Sequence, residues 1–184
     1  MKIERIKKIA IKKVDPELKS HNGLFGEGCT GSRCSDECCQ WGCDVDLATL
    51  DLIMKHRDLI EPLVGRKIEK CFKTELVKDD DYIGGAFRET VVRKADKRCA
   101  FHLTGGARGC SLFFLWAAKG VSKRIVPTIC RVYPITWHRG RLFLDSPIIE
   151  ACKCLDRPPA GKKTPSLLQT QRKEVRALFD IKEK

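Results

Sequence analysis

Apolar residues at helical spacing mark three segments of the chain. Asp46 is a candidate N-cap, and the apolar residues after it share one helical face over a segment that ends near Pro62. A second helix is predicted over roughly residues 112–123. The apolar spacing within residues 165–181 predicts a third, amphipathic helix. The second helix is expected to turn three residues inward: Leu112, Leu115 and Trp116.

Alternating and turn-rich stretches predict short β-hairpins. Residues 67–92 alternate around the polar turn KDDDYIGG, which predicts a hairpin with a long loop. A second hairpin is expected to turn at the Arg-Gly pair of residues 139–140. Residues 1–20 fit either a short amphipathic helix or an edge strand. Residues 21–43 are rich in Gly, Ser and Cys without periodicity, so they are predicted to form a loop.

These elements predict a small single-domain α+β fold, with two or three helices, short hairpins and long cysteine-bearing loops. The 184 residues, of which 42% are hydrophobic, suffice for one buried core. We expect a basic extension over residues 1–20, a cysteine-cluster domain over 21–156 and a basic helical tail over 157–184. No segment approaches the roughly 20 apolar residues of a membrane span, and the basic N-terminus is unlike a secretory signal. A cytoplasmic protein without membrane contact is therefore expected.

Positive charge is concentrated at the two ends of the chain. Of the formal net charge of +12, residues 1–20 contribute +4 and residues 153–184 contribute +5. Such ends could bind RNA, but no aromatic residues that would stack on bases are interleaved with them, so solvated charge is the favoured interpretation. A zinc-stabilised adaptor for nucleic acid or an acidic protein partner stays an alternative.

The eleven cysteines carry the predicted chemistry. Five form the pattern C-x4-C-x3-C-C-x3-C between Cys29 and Cys43, in a Gly/Ser-rich segment whose backbone freedom lets several sulfurs reach one cation. In a reducing compartment thiols do not pair as disulfides, so we expect thiolates that hold zinc or iron. Two four-sulfur zinc sites and an iron–sulfur cluster fit equally well. A second set lies near turn signals: Cys99, Cys110, Cys130, Cys152 and Cys154.

The ordered cysteine motifs resemble those of the YkgJ-like cysteine-cluster family, whose members are regarded as zinc- or iron-chelating. The motifs are CTGSRCSDECC, with wider spacings than the family's CxxCxxCC, then CAFHL, a single cysteine, TICRVYP and ACKC. The resemblance implies eight metal ligands: Cys29, Cys34, Cys38, Cys39, Cys99, Cys110, Cys130 and Cys152. It leaves out three cysteines: Cys43, Cys71 and Cys154.

A second, local resemblance concerns the segment CTGSRCSDECCQWGCDVD, which is similar to the cysteine segment of flagellin lysine N-methylases. Those enzymes are much longer, so the resemblance implies a shared domain rather than their activity. An iron–sulfur-dependent redox or protein-modifying enzyme domain stays an alternative function, and the sequence identifies no catalytic residues.

Histidine ligation and an activated thiol are the alternatives to an all-cysteine metal site. The four histidines are scattered, and His102, between Cys99 and Cys110, is the best candidate for a mixed ligand set. Cys130 could also be an activated thiolate, because a neighbouring cation such as Arg131 lowers the pKa of a thiol. Metal ligation is the favoured role for Cys130.

Overall fold

The structure, a computed structural model, describes residues 8–20, 36–145 and 165–182. Helices and short strands occur together in these ranges, which confirms the α+β fold. The seven helices described are α1 (Pro16–Ser20), α2 (Leu47–Lys55), α3 (Arg57–Val64), α4 (Ser111–Lys119), α5 (Thr128–Val132), α6 (Leu167–Thr170) and α7 (Arg172–Leu178). The eight strands described are β1 (Ile9–Ile11), β2 (Lys13–Val14), β3 (Asp44–Asp46), β4 (Val77–Lys78), β5 (Ala86–Glu89), β6 (Ile135–His138), β7 (Arg141–Leu144) and β8 (Phe179–Ile181). None of the described helices is long and apolar enough to cross a membrane.

The first predicted helix begins where the sequence indicates but is divided in two. Asp46 caps α2 as predicted, and its Oδ1 accepts a hydrogen bond of 3.0 Å from the Thr49 amide. The chain leaves helical geometry at His56 and resumes as α3, which runs through Pro62. The helical segment ends at Val64, two residues beyond Pro62 and close to the predicted end, since a proline removes one hydrogen bond without preventing the next turn. Gly65 ends α3 in the left-handed conformation, at φ 64°.

The second predicted helix is confirmed as α4. Leu112 and Leu115 are 1% and 2% exposed, and Trp116 packs partly buried against the same core. The helix ends earlier than predicted because Gly120, at φ 67°, caps it in the left-handed conformation.

Both predicted hairpins form. β6 and β7 pair in antiparallel register across residues 139–140, both of which have positive φ. β4 and β5 also pair antiparallel, and β3 joins the other edge of β5. Ile68–Cys71, predicted as strand, is a 3₁₀ turn instead. In that turn positions i and i+3 share a face, so both of its end residues are buried, whereas a strand would turn them to opposite faces.

The two ends of the described chain pair with each other. β1 lies parallel to β8, with Ile9 opposite Phe179, and β2 lies parallel to β7. The N-terminal segment therefore contains strands followed by α1. The predicted C-terminal helix is corrected: it is present as α6 and α7 but stops at Leu178, because the next three residues pair with β1.

Two clusters of buried side chains stabilise the fold. The first core lies among α2, α3 and α4 and includes Val45, Ile53, Ile60, Ile68, Phe101 and Leu112. The second core joins both chain ends to the β6–β7 hairpin and includes Ile11, Leu18, Ile135, Leu142, Leu167 and Phe179. Phe101 of the first core and Ile135 of the second line the same cavity, which places that cavity between the two cores.

Candidate functional site

Six cysteine side chains line this cavity, whose volume is about 330 Å³. They are Cys38, Cys39, Cys43, Cys99, Cys110 and Cys130. Most of the remaining wall is apolar and includes the aromatic residues Trp41, Tyr82, Phe101, Phe113 and Tyr133. The fold thus gathers thiols from four separate parts of the sequence around one largely apolar space.

The cavity collects five of the eight cysteines that the sequence resemblance selects. The other three, Cys29, Cys34 and Cys152, lie outside the described residues, as does Cys154. Cys71 is fully buried in the first core and is not among the residues that line the cavity. Cys43 is the cavity cysteine that the resemblance omits, although its place in the string CCQWGC already set it beside the others.

The backbone brings the two sequence sets of cysteines together. Cys38 and Cys39 lie in the 3₁₀ turn Glu37–Gln40. The Cys99 amide donates a hydrogen bond of 2.6 Å to the carbonyl of Cys39, so the first and second sets are directly connected.

Two hydrogen bonds connect the backbone amide and carbonyl of Cys43 to Thr90. Its amide donates to Thr90 Oγ1 at 2.8 Å, and its carbonyl accepts from the Thr90 amide at 2.9 Å. Gly42, with φ 73°, permits the approach, since a Cβ there would lie 2.8 Å from Thr90 Oγ1. The segment before β3 is thereby held against the end of β5.

The remaining two cavity cysteines belong to helical segments. Cys110 is the residue that precedes α4, and it forms an isolated antiparallel bridge with His102. Cys130 lies within α5. α5 is connected to the start of α2, because Thr128 Oγ1 donates a hydrogen bond of 2.7 Å to Asp46 Oδ2.

The thiols contact one another in pairs. Cys43 lies near the thiols of Cys130 and Cys99, and Cys39 lies near the thiol of Cys38. Cys38 beside Cys39, Cys130 beside Cys43 and Cys43 beside Cys99, followed by burial in each case, hold the pKa of Cys39, Cys43 and Cys99 well above the ordinary value of a thiol.

The pKa values of Cys110 and Cys130 are shifted in the same direction. Burial, and then the nearby Cys99, raise the pKa of Cys110 to about 12. A hydrogen bond to Cys43 lowers the pKa of Cys130, but burial and the nearby thiols together raise it more. These thiols are therefore neutral at pH 7 unless a cation lies beside them.

The described wall of the cavity contains no lysine or arginine, although the chain has 36 such residues. Its charged side chains are instead the carboxylates Asp44 and Asp145. Asp44 accepts a hydrogen bond of 2.5 Å from the Tyr82 hydroxyl, and burial raises its pKa. In the described wall of the cavity, therefore, no lysine or arginine lies beside the thiols to stabilise their ionised form.

The geometry around Cys130 argues against an activated thiolate. The guanidinium of Arg131 donates to Thr128 Oγ1 at 3.2 Å and lies 3.8 Å from a carboxylate oxygen of Glu174. The pKa of Cys130 is raised by its surroundings, which is opposite to the shift that activation requires.

His102 also lines the cavity, and only one of its two ring nitrogens is hydrogen-bonded to a protein group, since Nε2 is buried without a hydrogen-bond partner among the described residues. Nε2 lies 3.3 Å from Asp36 Oδ2, and Nδ1 lies 2.8 Å from the Leu103 carbonyl oxygen. The ring is 8% exposed. These contacts support a structural role for His102 in joining the first cysteine segment to the second.

Within the ranges that the structure describes, no three His, Cys, Asp or Glu side chains are arranged as a ready-made metal-ligand set. A comparison of the chain with known protein families, curated proteins and solved structures finds no match in any of the three. The resemblance to the cysteine-cluster family stays a prediction from the sequence motifs.

Proposed function

We propose that this protein binds a thiophilic metal, zinc or iron, through the cysteines of the cavity, as the YkgJ-like resemblance implies. The observation that carries the proposal is the convergence of six thiols on one space between the two cores. Thiolate ligands select zinc, copper(I) and iron–sulfur clusters over the hard cations that prefer oxygen ligands. Free thiols at this density also suit a reducing compartment such as the cytoplasm.

Electrostatics favour a metal over a reactive cysteine. Burial and neighbouring thiols oppose ionisation of the cavity cysteines, and the described wall supplies no lysine or arginine side chain to offset that effect. A bound divalent cation provides the missing positive charge and releases the thiol protons as it binds. The donor set therefore fits a thiolate-bound metal or an iron–sulfur cluster.

The metal is also proposed to stabilise the fold. The described cavity cysteines belong to segments that meet only through tertiary contacts, so a shared ion would crosslink them. Structural zinc sites supply about 10–16 kcal/mol of apparent folding free energy, which equals or exceeds the stability of a typical domain. We expect removal of the metal to lower the melting temperature and to loosen the packing of α5 against β3.

The test is elemental analysis of anaerobically purified protein together with its visible spectrum. Zinc without visible absorption supports a structural or chelating site. Iron with matching acid-labile sulfide and a broad band near the violet supports a cluster, and then the redox or protein-modifying alternative. Protein that contains neither metal, and binds neither after reduction, contradicts the proposal.

A second candidate function, an adaptor for nucleic acid, is favoured by one observation. The parallel pairing of β1 with β8 brings the two basic ends together, and Lys8 Nζ donates a hydrogen bond of 2.7 Å to the Arg176 carbonyl. Binding to RNA that weakens steeply with added salt supports this function, whereas no binding at low salt contradicts it.

A further inference from the structure

A second hollow, which shares only His102 with the thiol cavity, has a volume of about 590 Å³. It lies between the end of α3, the turn at residues 93–96 and the loop of residues 102–108. Four basic and two acidic side chains line this basic hollow, which leaves a formal charge of +2 when His102 is neutral. A volume of this order is usual for a ligand site, and the charge favours an anion. The six side chains are Arg66, Arg93, Lys94, Arg108, Asp36 and Asp96.

Both carboxylates of the basic hollow already have partners. Asp96 accepts a hydrogen bond of 3.0 Å from Nε of Arg93, and Arg93 also donates to the carbonyl of His102 at 3.0 Å. Asp36 Oδ1 accepts a hydrogen bond of 2.8 Å from the Gly109 amide, and Oδ2 lies 3.3 Å from Nε2 of His102. These contacts order the floor of the hollow and leave its other basic side chains without a counter-ion from the floor.

The other three basic side chains of the hollow come from three different segments. Within the described chain, none of the three side chains forms an ion pair or a hydrogen bond: Arg66, Lys94 and Arg108. Lys67 provides the contrast, because its Nζ lies 2.9 Å from Glu61 Oε2 while the preceding Arg66 has no such partner. Like charges that converge on one space repel one another, and an anion placed among them removes that repulsion.

The glycine-rich loop adds backbone donors to the same hollow. Gly105 and Gly106 have positive φ, at 71° and 78°, and a Cβ on either would meet nothing within 4 Å. The amides of residues 105–108 donate no hydrogen bond to any residue that the structure describes. Successive amides in a turn with left-handed residues form concave sites for anions. The loop therefore offers uncovered donors beside the unpaired cations.

We propose that the basic hollow binds a phosphate group, either as inorganic phosphate or as part of a small phosphate monoester. Arg66, Lys94 and Arg108 supply the positive charge, and the amides of residues 105–108 supply donors. A phosphate monoester carries between one and two negative charges near neutral pH and presents several strong acceptor oxygens, which matches both sets of groups. Arg93 has a positioning role, since its guanidinium is committed to Asp96 and to the carbonyl of His102.

The lining favours a discrete phosphate group over a nucleic-acid strand. Proteins that follow a single strand combine positive charge with aromatic side chains on which the bases stack. Among the described residues of the basic hollow there is no Phe, Tyr or Trp. The inference goes beyond the proposed metal-binding function and does not depend on it, because none of the cysteines of the thiol cavity lines this hollow.

The experiment titrates the anaerobically purified full chain with inorganic phosphate and, separately, with glycerol 3-phosphate, by calorimetry at constant ionic strength. Saturable binding at a single site is expected. The variant Arg66→Gln with Arg108→Gln should bind at least about tenfold more weakly, because it removes two charge-assisted contacts. The matched control, Lys55→Gln with Lys119→Gln, removes the same charge from exposed helical positions outside the hollow and should bind almost as the wild type does.

Nitrogen–proton NMR spectra of the wild-type chain give a second readout that needs no variant. The amide signals of residues 105–108 should shift with the calorimetric saturation curve. If the double variant fails to fold, these shifts decide, and their absence would overturn the proposal. Equal weakening in the two double variants, or no saturable binding of either ligand, would also overturn it. Tighter binding of glycerol 3-phosphate assigns the site to an ester, and tighter binding of inorganic phosphate assigns it to the free ion.

Discussion

The carboxylate of Asp46 accepts a hydrogen bond of 2.7 Å from the hydroxyl of Thr128, and both residues are 1% exposed. Asp46 caps α2 three residues after Cys43, and Thr128 opens α5 two residues before Cys130. One buried carboxylate therefore serves as a helix cap and also joins two cysteine-bearing segments.

Asp46→Ala should destabilise the protein by about 2–4 kcal/mol, because it removes a helix cap and leaves the buried hydroxyl of Thr128 without its acceptor. Urea unfolding of the metal-free chain measures the change. Asp51→Ala, at an exposed position on the same helix, is the control and should cost far less. Equal effects of the two substitutions would show that the connection to α5 contributes nothing.

Thr90→Val should weaken metal binding about tenfold, because it removes the hydroxyl between Cys43 and Cys99 while it keeps the shape of the side chain. Thr90→Ser retains the hydroxyl and should bind the metal almost as the wild type does. Competition with a chromophoric chelator gives the affinities. Equal loss in both variants would mean that packing, rather than the hydrogen bond, is what matters.

Gly42→Ala should be more destabilising than Gly120→Ala. Both glycines have positive φ, at 73° and 67°, so each substitution costs about 1 kcal/mol of backbone strain. At Gly42 the new Cβ also meets Thr90 Oγ1 at 2.8 Å, whereas at Gly120 it meets nothing within 4 Å. Thermal melts of the two variants give the comparison, and a greater loss at Gly120 would contradict the close approach of Gly42 to Thr90.

Phe179→Ala should destabilise the protein by about 3–5 kcal/mol, as expected for truncation of a buried phenylalanine. Phe179 is 3% exposed, and its ring lies 5.2 Å from that of Trp137. The matched control is Phe114→Ala, since Phe114 is 37% exposed. Similar unfolding midpoints for both variants would mean that the C-terminal strand is not part of the cooperative fold.

Elements specified by local chemistry were predictable from the sequence. Three features depend on residues only a few positions apart: the cap at Asp46, the turn at residues 139–140 and the inward face of α4. A short stretch of sequence is therefore enough to predict each of them. β8 was not predictable in this way. Its sequence continues an amphipathic helical pattern, and it becomes a strand only because β1, about 170 residues earlier, provides its hydrogen-bonding partner.

The sequence predicts that cysteines form the candidate site, but it does not predict which cysteines lie together. Clustered cysteines indicated thiolate chemistry, and five of the selected residues do line one cavity. The position of Cys43 in the cavity depends on its hydrogen bonds to Thr90, which is distant in sequence and meets it only in the folded chain. Spacing alone could not separate it from Cys71, which is buried elsewhere in the first core.

X-ray absorption spectroscopy of the metal in anaerobically purified protein tests the central claim most directly. The account predicts a first shell dominated by sulfur, at about 2.3 Å for zinc. A first shell made only of nitrogen or oxygen, at about 2.0–2.2 Å, would show that the cysteines of the cavity are not the ligands.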